Sequence, residues 1–363
     1  MKAWVRPLVP IALLAAACTA SAPASQEPSS PPSSTTASGA SASPSPVEQV
    51  NVVFVRDNSV ADTDEHALPA LQGLQLAFQT AALADADAVP VHLELIDVGR
   101  DPAALETVRA DPSFVAAIVA PGVEVDVPEG LPLLSLSGLV PASDGVRLVP
   151  PIGASARALA ASIRQTACIL SEDPPPDPFG ALVARRTGEP EATLDVAEIA
   201  GVVGERGCRT VVWGGGPDAA ADAAVALDAS AVRLVGGDRL LDHDFLAEAG
   251  AAAEGARAFC PCADVSTSTE FSARRFIQDY QSEFGSAPGA YAIEGWDAGH
   301  LVLRAVREGG GTREDVGDWL GAVAAHDGLA TTYRFGAGGE LVAPGDRVRI
   351  YRVIGGRWVG APA

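Results

Sequence analysis

Apolar residues along the chain fall into short runs separated by stretches of helical period. Residues 49–56 form an apolar strand, VNVVFV, and a polar loop follows to residue 65. Leu68, Leu71, Leu74, Leu76 and Phe78 recur at helical spacing over residues 68–84. Residues 91–98 read as a strand ending near Asp97, and Asp101-Pro102 opens a helix with a capping Asp and a first-turn Pro. Residues 114–119 and 131–135 are two more apolar strands. The order is βαβαββ, and the strands are too apolar to keep one face in water. That predicts a parallel sheet covered by helices.

The second part continues in the same style. A helix is expected over 154–170, a Pro-rich break over 173–178, a strand over 181–185 and a helix over 192–205. A strand over 209–213 and a helix over 218–227 follow. In residues 231–264, Val232, Leu234 and Val235 make a strand, Gly236-Gly237-Asp238 a turn, then an Ala-rich helix runs to Gly255 and a strand to Cys260. Ligands of open α/β sheets sit past the carboxyl ends of strands, where Asp238 falls. A plain Gly-Gly-Asp turn is the simpler reading of the same residues. Helices over 271–284, 291–307 and 315–325 precede a tail of short strands at 330–335, 347–354 and 357–359.

Composition narrows the function classes. A chain of 363 residues with 48% hydrophobic content holds two modest domains. The net charge of −21, with no basic run, argues against nucleic-acid or anionic-membrane binding through the body. Lys2 and Arg6 precede a short apolar run, residues 8–17, too short to span a bilayer. It ends in Leu14-Ala15-Ala16-Ala17-Cys18, which resembles the lipobox of bacterial lipoproteins, with Ala15 where Leu is commonest. Residues 1–17 are thus expected to be a lipoprotein signal peptide and Cys18 the lipidation site. Residues 18–47, rich in Ser and Pro, cannot bury enough apolar surface to fold. They would form a tether of about 30 Å span. Two acyl chains would hold the body at the extracytoplasmic face of the cell membrane, its one contact with lipid.

Four cysteines remain after Cys18, allowing three pairings. Cys168 and Cys208 should share the amino edge of one sheet, with Cys260 and Cys262 at the opposite edge. A Cys168–Cys208 disulfide is therefore expected, with Cys260-Pro261-Cys262 bridged locally or reduced. Asp62, Asp64, Glu65 and His66, or Asp242 with Asp244, are oxygen-rich enough for Ca²⁺, though solvated loop charge is the commoner origin of such clusters. Ser135 lacks a G-x-S-x-G setting, and no phosphate loop or catalytic pair stands out. The expectation is no enzyme, no cofactor and no metal.

Phe284, Gly285, Pro288, Tyr291, Asp297, Phe335 and Gly339 match in order the tail pattern of a known family. Gly236–Asp238, Ala252–Gly255, Gly73, Leu76, Ala77, Asp97 and Asp101-Pro102 match further motifs of it. The chain resembles the leucine/isoleucine/valine-binding family of type I periplasmic binding proteins. The resemblance implies an α/β fold of two Rossmann-like lobes with parallel-sheet cores joined by a hinge, the second lobe trimmed around 179–209. Lobe 1 would comprise 48–150 and 264–327, and lobe 2 would comprise 151–263 and 328–363. The implied function is to grip a small polar ligand, of the amino acid or amide class, for an ABC-type importer and its permease, as a monomer. By position in the motifs, Glu124, Ser135, Ser137 and Asp238 would face the ligand, with Trp213 as a wall. Leu139 stands where the family has Thr. Glu124 beside Asp238 would add a second negative charge and favour a neutral or cationic ligand. The alternative is a non-transport envelope lipoprotein, a sensor or scaffold with a degenerate pocket.

Overall fold

A computed structural model describes residues 49–59, 63–85, 89–142, 145–172, 178–228, 232–266 and 268–361. The signal peptide, Cys18, the tether and Asp62 lie outside the described residues. The first sheet is built from β1 (Val50–Arg56), β2 (Val91–Asp97), β3 (Phe114–Val119), β4 (Leu133–Ser135) and β5 (Gly145–Arg147). Its order is β2-β1-β3-β4-β5, parallel throughout. All of β3 is buried, because helices cover both faces of a parallel sheet. Helices α1 (Thr63–Ala84) and α2 (Ala104–Ala110) lie between its strands in sequence.

The chain then crosses to a second sheet through α3 (Ile152–Ser162). Strands β6 (Ala167–Ser171), β7 (Glu191–Thr193), β8 (Thr210–Trp213), β9 (Arg233–Gly236) and β10 (Arg257–Cys260) alternate with α4 (Phe179–Thr187), α5 (Ile199–Arg206), α6 (Pro217–Leu227) and α7 (His243–Ala249). After β10 come α8 (Phe271–Phe284), α9 (Ala292–Glu308) and α10 (Arg313–Ala322). A small hairpin, β11 (Ala325–Asp327) with β12 (Thr332–Arg334), precedes β13 (Arg349–Ile354) and β14 (Arg357–Ala361). The second sheet has the order β14-β13-β10-β9-β8-β6-β7, with β13 and β14 added antiparallel at one edge.

Helix α9 returns to the first sheet and lies directly on α1. Glycines make this close approach. A Cβ on Gly73 would stand 1.8 Å from the carbonyl oxygen of Ala292, and one on Gly295 would stand 1.9 Å from that of Ala70. Two helix backbones come this near only where a side chain is missing.

The structure revises the expected elements between residues 154 and 206. The expected 154–170 helix stops at Ser162, and Ala167–Ser171 is the buried strand β6. The 181–185 strand is the middle of α4, stopped by Gly188 in a left-handed C-cap at φ 76° and favoured by Arg185 and Arg186 in its last turn. The 192–205 helix is strand β7 followed by a 3₁₀ turn capped by Asp195 and then α5. Residues 179–209 thus carry two helices and a short strand, not one of each. Cys168 lies inside β6, not at a helix end. Because β6 pairs with β8, Cys168 and Cys208 come to 5.8 Å Cα–Cα with their sulfurs in bonding contact. The sulfurs of Cys260 and Cys262 are likewise in contact.

Candidate functional site

The chain passes between the two sheets three times: after β5, after β10 and between β12 and β13. Beside these crossings the carboxyl ends of β3 and β4 face those of β9 and β10. A cavity of about 30 Å³ lies between them, room for about one water. From the first sheet's side it is lined by His66, Pro121, Gly122, Gly138 and Leu139. From the other side come Ile152, Ser155, Asp238, Arg239 and Pro261. The amide of Ile152 donates to the carbonyl of Gly138 at 3.0 Å, so the two halves touch at this wall. A Cβ on Gly138 would lie 2.9 Å from that amide nitrogen.

Asp238 opens the turn after β9, as its place at a strand end predicts. Its carboxylate accepts a hydrogen bond from the Tyr291 hydroxyl. Tyr291 sits just before α9 with φ 65°, a left-handed conformation costly for a non-glycine residue. Burial, together with the charge of Asp238, pushes the Tyr291 hydroxyl well above its ordinary pKa, so it stays a donor. His66 Nε2 lies 3.1 Å from the Asp238 carbonyl oxygen. Against a carbonyl, Nε2 can only be the donor, which fixes the tautomer. Burial lowers the His66 pKa and outweighs the opposing pull of Asp238, so the ring is neutral near pH 7.

On the same side of the cavity as Asp238, Ser155 lies in the first turns of α3. It is buried, and its hydroxyl has no hydrogen-bond partner among the described residues. The positive end of the 11-residue helix α3 lies at the same wall, with the Ile152 amide donating to the Gly138 carbonyl and the Ala154 amide to that of Pro151. The cavity thus gathers the Asp238 carboxylate, the buried Ser155 hydroxyl and the start of α3 on one wall, with the neutral His66 ring on the other. At its rim, Glu65 of α1 accepts from the His243 amide at 2.8 Å. Burial, then the hydrogen bond to the Asp242 carboxyl, raise the pKa of Glu65 to about 8. Glu65 thus links α1 to the start of α7. Asp242 also caps α7, accepting from the amides of Asp244 and Phe245. Glu65, His66 and Asp242 are thus engaged in contacts between elements.

Four expected ligand residues do other work. Ser135 Oγ donates to the carbonyl of Ser137, and Ser137 Oγ donates to that of Val123 at 2.6 Å. Both hydroxyls are spent holding the loop, and neither residue lines the cavity. Glu124 is exposed. Gly122, at φ 73°, turns the chain so that Val123 is buried and Glu124 points out. Glu124 therefore brings no second negative charge to Asp238, and the expected preference for a neutral or cationic ligand falls with it. Trp213 is 1% exposed, and its Nε1 donates to the Gly216 carbonyl at 3.0 Å; it is core, not a wall. Sequence reasoning missed His66 and Ser155 as cavity groups and Tyr291 as the partner of Asp238. The Pro150-Pro151 pair ahead of α3 was the one available signal for Ser155, marking a helix start that faces a crossing.

No protein-family model and no curated protein matches this sequence. Solved structures do match its fold. A putative branched-chain amino acid ABC transporter protein from Rhodospirillum rubrum aligns over 86% of this chain and 100% of its own, at 19% identity and a TM-score of 0.59. An ABC transporter substrate-binding protein from Desulfitobacterium hafniense, in complex with Leu, aligns over the same shares at 16% identity and a TM-score of 0.68. A solute-binding protein from R. palustris, in complex with benzoate, aligns over 86% and 95% at 16% identity and a TM-score of 0.64. The chain has the α/β fold of the type I periplasmic binding proteins.

Proposed function

We propose that this protein is an extracytoplasmic solute-binding protein that closes on a small amino acid or amide. Residues 48–150 with 264–327 and residues 151–263 with 328–363 act as two lobes, and the three crossings are their hinge. The carrying observation is that the Asp238 carboxylate and the unpartnered, buried Ser155 hydroxyl line the same cavity. Asp238 takes an ammonium or amide N–H. Ser155, at the positive end of α3, takes a carboxylate or carbonyl oxygen. About 30 Å³ holds about one water, so the solute enters when the lobes part and keeps them further apart than here.

The rest of the reading follows the sequence. Cys18 carries the lipid anchor and residues 18–47 are the tether. An ABC permease receives the solute. The chain works as a monomer, performs no catalysis and has Cys168 bonded to Cys208 in the exported form. Structural neighbours of the same fold whose names describe ABC transporter solute binding support this assignment. A thermal-shift screen with amino acids and their amides tests it. A ligand at a hundred times its dissociation constant should stabilise the chain by about 2.7 kcal/mol. No shift with any member of the panel rejects it.

One observation favours the alternative of a sensor or scaffold with a degenerate pocket: Asp238 already has a donor in Tyr291, and the space beside it is small. In that case the screen is silent, and the envelope partner is a protein.

A further inference from the structure

A second pocket lies where the three crossings meet, on the far side of Pro261 from the cavity described above. Its volume is about 250 Å³, and it takes residues from all three crossings, among them Pro150, Ala263 and Arg347. Two ionisable side chains on its walls are incompletely used. Glu294, in the first turn of α9, is 3% exposed. Its Oε1 accepts from the amide of Ala263 at 2.6 Å, while its Oε2 is buried with no partner among the described residues. Arg347 donates through one terminal nitrogen to the carbonyl of Thr332 at 2.7 Å, and its other, Nη1, is buried and has no partner there. The Arg347 guanidinium lies 5.3 Å from the centroid of the Tyr333 ring, and Tyr333 also lines the pocket. No ion pair joins Glu294 to Arg347 among the described residues. Asp346 and Arg349 add exposed charges of opposite sign at the rim.

An unpaired buried carboxyl and an unpaired buried guanidinium nitrogen each leave a desolvation cost that a complementary ligand would relieve. We propose that this pocket is a second ligand site, distinct from the one at Asp238, for a small ω-amino acid. The amine docks on Glu294 Oε2, the carboxylate docks on Arg347 Nη1, and the methylene chain lies along the Tyr333 ring. The class is an ω-amino acid because Glu294 and Arg347 line the pocket from α9 and from the third crossing without pairing, so an amine and a carboxylate that meet them need a spacer between them. Burial raises the Glu294 pKa to about 8, so the empty site holds a protonated acid at neutral pH. Binding the ammonium favours the carboxylate and sends that proton to solvent.

The probe is 5-aminopentanoate, titrated calorimetrically into the full chain in two buffers of different ionisation enthalpy at pH 7. Saturable binding with release of most of one proton is expected. Pentanoate and pentylamine, each lacking one charge, should bind at least about tenfold more weakly. Glu294→Gln and Arg347→Gln should each weaken 5-aminopentanoate at least about tenfold, and Asp238→Asn should leave it unchanged. Arg347→Gln decides the matter if Glu294→Gln fails to fold, because Arg347 is only partly buried. Absence of saturable binding, or binding lost in Asp238→Asn and kept in Arg347→Gln, would overturn the proposal without touching the proposed function of the Asp238 cavity.

Discussion

The two cavities differ in size and in how their acids are kept. The one at Asp238 is about 30 Å³ and the one at the crossings about 250 Å³. One helix serves both: Tyr291, just before α9, turns to Asp238, and Glu294, three residues on, turns to the crossings. Asp297 follows three residues later on the same face of the helix. It accepts from the amides of Leu329 and Ala330 and from the Tyr333 hydroxyl, and burial outweighs these donors to give a pKa of about 6. Glu294 is as deeply buried but takes a single amide from a crossing, and its pKa reaches about 8. The lesson is that burial alone does not decide the charge of an acid on this helix. The supply of donors does, and donors are scarce at the larger pocket.

Forcing α9 away from α1 should disturb both cavities together. Gly295→Val places a side chain against the Ala70 carbonyl, which a Cβ alone would meet at 1.9 Å. A loss of about 3 kcal/mol is expected in urea unfolding. A loss below about 0.5 kcal/mol would mean that α9 does not rest on α1 as described.

Tyr291→Phe separates the cavities. It strips Asp238 of its hydroxyl donor and should cost about 2 kcal/mol of stability, with the Glu294 pocket unaffected.

The acids give a pH signature whose sign is fixed. The pKa of Glu294 and that of Glu65 are each raised to about 8 from an ordinary value of 4.5. The folded chain therefore holds protons that the unfolded chain releases. Stability is fully present below about pH 4.5 for these groups and falls as pH rises toward 8. Melting temperature should rise when pH is lowered from 8 to 6, contrary to the usual acid behaviour. Glu294→Gln should flatten this slope and raise stability at pH 8 by about 1 kcal/mol. A wild-type melting temperature that falls over the same interval would contradict the account of both acids.

The smallest effect is expected at Glu124. Glu124→Ser should change stability by less than about 0.5 kcal/mol and leave solute affinity alone, since the side chain is exposed.

The first sheet was legible because its strands are apolar runs bounded by turn signals; Val52–Val55 and Phe114–Val119 have no competing helical period. Strand β5 was missed because three residues carry no period at all. Residues 179–187 were misread because Leu182 and Val183 fit either period, while the decisive signals, Gly188 and the two arginines, stand at the helix end. Asp238 was legible as a strand-end acid. Tyr291 was not, since its partner lies 53 residues away and only the packing of α9 brings them together. His66 is 172 residues from Asp238 and met it the same way. The two loop serines were placed in the right loop, but sequence could not show that backbone carbonyls already occupied them.

The central claim is that Asp238 and Ser155 hold opposite ends of one solute. The direct measurement is calorimetric titration of the best amino acid or amide from the thermal-shift screen into wild type, Asp238→Asn and Ser155→Ala. Loss of a hydrogen bond to a charged group is worth about 1.5–3 kcal/mol, so Asp238→Asn should weaken binding roughly 10- to 100-fold. Ser155→Ala should weaken it about tenfold or less. Affinity unchanged in both variants would place the solute elsewhere and contradict the account.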